Sequence, residues 1–136
     1  MDLLDTMHIS ASGMNAQAER LKIVSQNLAN AEAVGSTSGG NAPYRRQTVT
    51  FKNHLDRETN ATMVDVNRVS YDNSDFDKRY EPNHPMADAQ GYVLYPNVNP
   101  VMEMMDMREA RRGYEANLNM IEASKSMLTQ TISLLR

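Results

Sequence analysis

Residues 4–28, LDTMHISASGMNAQAERLKIVSQNL, decide the fold because small and apolar side chains recur there at alternating intervals of three and four. Such intervals place these side chains on one face of a helix that packs against a partner helix. One column repeats every seven residues, and its members are Met7, Met14, Leu21 and Leu28. A column sustained over about four heptads predicts a long helix with a coiled-coil-like seam.

The ends of this first helix are predicted from capping chemistry. Asp2 is suited to the N-cap position, and Asp5 lies where the helix dipole favours a negative charge. Gly35 is predicted to end the helix, followed by a flexible loop with the sequence GSTSGGNAP (35–43). The segment SQNLANAE (25–32) is small and polar where a self-contained helix would bury leucines. We interpret it as a surface for close contact with neighbouring chains.

A second long helix is predicted from about residue 100 to residue 135. Asn99 is suited to the N-cap and Pro100 to the first helical position, with Glu103 in the first turn. A heptad column follows, and an adjoining column contains Leu118 and Ile132. The members of the main column are Met107, Tyr114, Ile121, Leu128 and Leu135.

The segment between the helices changes its pattern. Residues 44–51, 62–70 and 91–95 alternate apolar and polar side chains, which predicts three short strands. Residues 72–90 are polar and interrupted by prolines, which predicts an irregular segment. The predicted fold is therefore mainly α, with two long terminal helices packed as a coiled-coil-like hairpin and a small irregular and β middle insertion. The predicted inner helical domain comprises 1–33 and 100–136, and the middle segment comprises 34–99.

Both helices carry apolar side chains on more than one face. In the first helix a second column lies about 160° from the Met7 column and consists of Ile9, Ala16 and Ile23. In the second helix Met120, Met127 and Leu134 lie on the opposite side from Leu118 and Ile132. Two apolar faces favour packing against other chains. A compact monomer with its own core is the alternative.

Composition excludes several function classes. The net charge of -3 and the pI of about 5.6 argue against nucleic acid as the main partner, which would require clustered Lys and Arg. No apolar run approaches the roughly 18 residues of a transmembrane helix, so we do not expect an integral membrane protein. The opening residues are acidic where a secretory signal is basic, so any export is expected to occur without a cleavable signal peptide.

Candidate metal sites are weak. DNSDFD (72–77) alternates oxygen ligands that suit Ca²⁺, but in an EF-hand register Phe76 falls on a ligand position and Asp77 on the required glycine. His8, His54 and His84 lack ligand spacing, and the methionines of MEMMDM (102–107) are typical of helix packing as well as of Cu(I) sites. We predict no catalytic residue, no metal and no cofactor.

Three stretches together resemble a known family. SASGMNAQAERLKIVSQNLANAEAVG (10–35), with Asn-Leu-Ala-Asn-Ala at 27–31, resembles the N-terminal motif of bacterial flagellar rod, hook and hook-filament junction proteins. YEPNHPMADAQGYVLYPNVNPVMEM (80–104) and RRGYEANLNMIEASKSML (111–128) are similar to the proximal-rod branch. The loop that ends in Pro43-Tyr44-Arg45-Arg46 fits as well, and the resemblance covers nearly the whole chain.

The resemblance implies a structural subunit of the basal-body rod that self-assembles into a helical tube, transmits torque and encloses the export channel. Implied partners are copies of itself, other flagellar rod proteins and the flagellar type III export apparatus, with the basal-body ring as a further candidate. The implied location is the rod, where it spans the periplasm. The alternative from another class is a soluble helical adaptor or export chaperone that binds amphipathic helices of a client.

The residues predicted to lie at subunit interfaces follow from the columns and from the motif. Within the motif, Asn27 and Asn30 are expected to bond groups of neighbouring subunits while alanines permit close approach. The complete set is Leu4, Met7, Met14, Leu21, Asn27, Leu28, Asn30, Met107, Tyr114, Leu118, Ile121, Leu128, Ile132 and Leu135.

Overall fold

A computed structural model describes residues 3–35, 42–57 and 60–135. Two long helices pack together, and two small sheets lie between them in the chain. The elements in chain order are α1 (Leu3–Ala29), β1 (Gln47–Asp56), β2 (Ala61–Tyr71), β3 (Asp77–Tyr80), β4 (Tyr92–Tyr95) and α2 (Pro100–Leu134). The predicted fold class, two long helices with a small β-containing insertion, is confirmed.

The first helix ends earlier than predicted. α1 stops at Ala29 and continues as a turn, so the prediction that Gly35 ends the helix is wrong. After Ala29 the backbone bonds span three residues, from the N–H of Ala31 to the carbonyl of Leu28 and from that of Ala33 to Asn30, so the helix gives way to turns. Gly35 instead donates its N–H to the carbonyl of Leu94 at 3.0 Å, which brings the chain back toward β4. The predicted N-cap Asp2 and the loop residues 36–41 lie outside the described residues.

The start of the second helix agrees with the prediction. Asn99 Oδ1 accepts the N–H groups of Val101 and Met102 at 3.0 and 3.3 Å, and Pro100 is the first helical residue. These bonds satisfy donors that a helix leaves without intrahelical partners. The helix then runs for 35 residues, about 50 Å at the usual rise.

The three predicted strands are present as β1, β2 and β4, and the first two are longer than predicted. β1 pairs with β2, and β3 pairs antiparallel with β4 in a register that joins Asp77 to Tyr95 and Tyr80 to Tyr92. β3 lies in the segment predicted to be irregular, which corrects that prediction. Its four residues are all exposed, so they show no apolar alternation, and pairing with β4 alone makes them a strand.

The described contacts divide the chain into two compact units. The first unit comprises Met1–Leu21, Val49–Arg68 and Met107–Arg136, and the second comprises Lys22–Thr48 and Val69–Asp106. Each combines parts of both helices with part of the middle segment. The predicted division into an inner helical domain and a middle segment therefore stays a prediction.

In the first unit the helices approach through small side chains. A Cβ on Gly13 would lie 2.9 Å from Asn117 Nδ2, and one on Gly113 would lie 3.2 Å from Gln17 Cδ. Arg20 Nη2 lies 3.4 Å from Glu109 Oε2. Across these three contacts the residue number increases along α1 while the number of the α2 partner decreases. The helices are therefore antiparallel in this unit. Their close contacts lie at small side chains and not at large apolar ones.

The second unit has a small core of its own. Its buried apolar side chains are Ile23 and Val24 from α1 and Val93 from β4. Asn27 and Glu103 are equally buried, at 1% and 0% exposure. A core with two polar side chains at its centre requires that both find hydrogen-bond partners.

Gly91 lies at a closely packed position of the second unit. Its φ is +84°, and a Cβ there would lie 2.9 Å from Tyr80 Cε2. We expect Gly91→Ala to lower the free energy of unfolding by about 2 kcal/mol, because an L side chain is strained at this φ and meets the ring. Urea unfolding followed by circular dichroism measures the change. The neighbouring Gln90→Ala, at an exposed position, should stay within about 0.5 kcal/mol of the parent chain.

Candidate functional site

Three of the stretches that carry the resemblance, 10–35, the loop ending at 43–46 and 80–104, meet in the second unit. Hydrogen bonds join Asn27 of α1, Tyr44 and Arg46 before β1, Asn97 between β4 and α2, and Glu103 in the first turn of α2. We call these five residues the motif cluster. They are far apart in the sequence, so their convergence is a property of the fold.

Asn27 lies at the centre of the motif cluster. Its Oδ1 accepts the N–H of Gln47 at 2.9 Å and the hydroxyl of Tyr44 at 2.9 Å. Its Nδ2 donates to the carbonyl of Gln47 at 2.8 Å and to Glu103 Oε2 at 3.1 Å. These four bonds use every hydrogen-bonding position of a primary amide.

The two motif asparagines, both predicted at subunit contacts, differ in their placement within one chain. The side chain of Asn27 is buried and bonded within the chain, and a subunit contact for it stays a prediction. Asn30 is half-buried and donates Nδ2 to the carbonyl of Gln26 at 2.8 Å, in its own helix. A subunit contact for Asn30 stays a prediction.

Glu103 is held by a cation as well as by Asn27. Arg46 Nε donates to Glu103 Oε1 at 2.6 Å, while its terminal nitrogens lie 3.7 Å from Asp72 and 3.8 Å from Asp106. Burial acts to lower the pKa of Arg46, but the bond to Glu103 and the surrounding carboxylates outweigh it and raise that pKa above its ordinary value. Arg46 is therefore charged in the folded chain.

The carboxylate of Glu103 also affects the pKa of Tyr44. Desolvation by burial raises the pKa of its phenol, and the negative charge of Glu103 raises it further together with the nearby Tyr71. The hydroxyl thus stays protonated and able to donate to Asn27 Oδ1.

Asn97 completes the motif cluster from the other side. Its Oδ1 accepts the N–H of Arg46 at 2.9 Å, and its Nδ2 donates to the carbonyl of Asp72 at 3.0 Å and to Ser74 Oγ at 2.8 Å. The backbone at residues 46 and 47 is therefore held by two asparagine side chains from two separate motifs.

Sequence reasoning missed the roles of Arg46, Asn97 and Glu103. Glu103 was interpreted as a first-turn residue that favours the helix dipole. A signal was present, because Glu103 lies in the same heptad column as Ala110, Asn117 and Ser124. Three members of that column are fully buried, and a carboxylate in a buried column requires a partner.

A second feature is an apolar surface on α2. Met120, Met127 and Leu134 repeat every seven residues and have exposed fractions of 50%, 48% and 86%. We call these three residues the Met column. Further large apolar side chains of α2 are also exposed, namely Val101, Met102, Met104, Met105, Leu118, Ile132 and Leu135. A single chain leaves this surface in water.

Comparison with known proteins identifies the family. A family described as flagella basal body rod protein matches residues 7–35, and one described as flagellar basal body rod FlgEFG protein C-terminal matches residues 89–134. The chain is 46% identical to the flagellar basal-body rod protein FlgC of Agrobacterium fabrum, over 94% of this chain and 91% of that protein. The proteins of the same name from Salmonella typhimurium and Bacillus subtilis are 38% and 34% identical, over 98% of this chain and 98% and 99% of theirs.

The chain belongs to the FlgC family of flagellar basal-body rod proteins. It is a structural subunit of the rod and assembles with other flagellar rod components, as predicted. The FlgC family is not known to be enzymatic, and the export-chaperone alternative is not favoured.

The predicted interface residues fall into three groups in this FlgC-family chain. Leu4, Leu118, Ile132 and Leu135 are exposed. Asn27 is buried. The others are half-buried, and they are Met7, Met14, Leu21, Leu28, Asn30, Met107, Tyr114, Ile121 and Leu128. The most buried apolar positions of the two helices are instead Ala16, Ile23, Val24 and Ala110.

Among residues 3–35, 42–57 and 60–135, no helix combines the length and hydropathy needed to cross a bilayer. Within the same ranges, no group of three or more His, Asp or Glu side chains is placed to hold a metal ion.

Asp72 gives the motif cluster a pH-dependent neighbour. Its Oδ1 accepts the N–H of Ser74 at 2.9 Å. This bond, a hydrogen bond with the Ser74 side chain and the positive charge of Arg46 hold the pKa of Asp72 below its ordinary value. A depressed pKa means that the ionised carboxylate stabilises the folded turn above the unfolded pKa and ceases to do so as pH falls through the folded pKa. We expect the Ser74 amide resonance to titrate with a midpoint below about 3.9, the ordinary pKa of an aspartate, read by NMR between pH 2 and about 6.

Proposed function

We propose that this rod subunit assembles with copies of itself and with other rod proteins into a helical tube that spans the periplasm, transmits torque and encloses the export channel. The observation that carries the proposal is the exposed apolar surface of α2, the Met column above all. Family membership supports assembly in the rod, and this surface is the part of the chain suited to contacts with neighbours.

The energy of burial favours neighbours on this surface. Each fully buried methionine or leucine contributes roughly 1.5–3 kcal/mol relative to exposure. The three residues of the Met column therefore represent about 5 kcal/mol, comparable to the 5–15 kcal/mol that stabilises a typical domain. Exposure of this column to water is unfavourable in free energy, and packing against another subunit removes that exposure.

The exposed predicted interface residues add a second apolar face. Leu118 and Ile132 lie on the other flank of α2 from the Met column, so a subunit has apolar side chains on two sides of one helix. Two different contact faces on one chain suit head-to-tail assembly, which forms a ring when the rotation closes and an open helix when it does not. We assign the half-buried members of the predicted set, such as Leu21 and Leu128, to the edges of these contacts.

The route to the rod follows from the family resemblance. We propose that the chain is delivered to the periplasm by the flagellar type III export apparatus, and that its first contacts are with other proximal rod proteins. The surrounding basal-body ring is a candidate neighbour for the middle segment. Nucleic acid is not among the proposed partners, in line with the acidic net charge.

The test is genetic replacement followed by purification. The chain is expressed in a flagellated bacterium whose own FlgC-family gene is deleted, and basal bodies are isolated in high salt. We expect the chain to remain in stoichiometric amounts in the washed rods and motility to return. Recovery only as a reversible, salt-sensitive complex with another exported protein would instead support the chaperone alternative.

A further inference from the structure

We propose that Asn27 is a positioning residue whose side-chain amide acts as a strand partner for Gln47 and fixes where the middle segment leaves the helices. The inference concerns the interior of one subunit and does not depend on the proposed tube. It gives the first asparagine of the Asn-Leu-Ala-Asn-Ala motif a role within the chain.

The bonds between Asn27 and Gln47 have the form of a strand pair. The amide oxygen accepts the N–H of Gln47 at 2.9 Å, and the amide nitrogen donates to the carbonyl of the same residue at 2.8 Å. Two residues of an antiparallel ladder exchange the same two bonds. Gln47 is also the first residue of β1, so the side chain from α1 pairs with the point at which the strand begins.

The orientation of the amide is fixed by its other two partners. Oδ1 faces the Tyr44 hydroxyl, a donor, and Nδ2 faces Glu103 Oε2, an acceptor. A flipped amide would place its oxygen against Glu103 Oε2 and the Gln47 carbonyl, and its nitrogen against the Gln47 N–H, so like groups would face each other at all three contacts. The motif cluster therefore determines which way Asn27 points.

The chemistry at this position requires an amide. Aspartate has the same shape, but its second oxygen would face the Gln47 carbonyl and the Glu103 carboxylate, which are both acceptors. Leucine would leave the N–H and C=O of Gln47 without these partners. Because the side chain is buried, no water replaces the lost bonds without rearrangement.

The experiment moves a negative charge from position 103 to position 27. Asn27→Asp removes the donor, and the double variant Asn27→Asp with Glu103→Gln returns a donor from the new glutamine to the new carboxylate at unchanged total charge. Hydrogen exchange of the Gln47 amide is measured by NMR on the full chain. We expect roughly tenfold faster exchange in Asn27→Asp, and recovery of most of the protection in the double variant.

The control is Asn30→Asp, the same substitution three residues along in the same motif. Asn30 bonds only the carbonyl of Gln26 among the described contacts, so exchange at Gln47 should stay at the parent rate. Exchange at Gln47 that rises equally in Asn27→Asp and Asn30→Asp would overturn the proposal.

The design also covers loss of the fold. If Asn27→Asp does not fold, refolding of the double variant supports the proposal, because the swap restores a donor and an acceptor between positions 27 and 103 even though it removes the carboxylate partner of Arg46. A double variant that stays unfolded, or that exchanges as fast as the single variant, overturns it. Rod incorporation is scored separately, so failure of the positioning role and failure of the tube remain distinguishable.

Discussion

Arg46→Met should lower the free energy of unfolding by about 3 kcal/mol, because it leaves the carboxylate of Glu103 buried without its cation. Glu103 has no exposed surface, and its Oε1 receives Arg46 Nε at 2.6 Å. The bond from Asn27 to Oε2 remains, which keeps the expected loss at the lower end of the range for a broken buried pair. Urea unfolding followed by circular dichroism reads the loss directly.

Two variants separate the buried charge from the loss of an arginine as such. Arg79→Met removes an exposed partner of Asp77 and a contact with the Tyr95 ring, and should cost about 1 kcal/mol or less. Arg46→Met combined with Glu103→Leu removes both charges and should recover much of the stability. A double variant as unstable as Arg46→Met alone would show that the unpaired carboxylate does not cause the loss.

The two helices and the start of α2 were predictable because local chemistry determines them. Asn99 and Pro100 combine a cap with a preset φ, and a heptad column over many turns has few interpretations other than a long helix. β3 was not predictable. Residues 77–80 have no apolar face, and only the partner strand β4 makes them extended.

The closest contact between the two helices lies at small side chains, which a heptad pattern does not mark. Large apolar side chains usually mark a seam, and the Met7 and Tyr114 columns remain predicted subunit interfaces. The structure brings the helices together at Gly13 and Gly113 and buries Ala16 and Ala110. Small side chains permit a short distance between helices, and the larger ones are left half-buried or exposed.

The role of Asn27 could not be derived from its own surroundings in the sequence. Its partners are 17, 20 and 76 residues away, and an amide beside alanines suits a subunit contact as well as an internal one. Only the return of the chain at Gln47 and the burial of Glu103 decide between the two. Polar residues inside a core are specified by long-range partners, which a local pattern does not contain.

Met127→Asp should reduce incorporation into rods at least 100-fold while leaving the isolated chain folded. The side chain is about half exposed in one subunit, so the carboxylate stays hydrated there. In the assembled rod it would have to lose water against apolar neighbours, and it would also forfeit the burial of a methionine. A combined cost of about 3 kcal/mol already corresponds to a factor of more than 100.

The matched control is Ser126→Asp, which adds the same charge one residue earlier on an exposed side of α2 away from the Met column. Variant and parent chains with different tags are expressed together, and their ratio is measured in purified basal bodies, with circular dichroism confirming the fold of each. We expect Ser126→Asp near the parent level and Met127→Asp nearly absent. Equal incorporation of the two variants would mean that the Met column faces water in the rod. In a helical array every subunit repeats the same contact, so a carboxylate at position 127 disfavours each step of addition. The effect on incorporation is therefore expected to be largest along the Met column.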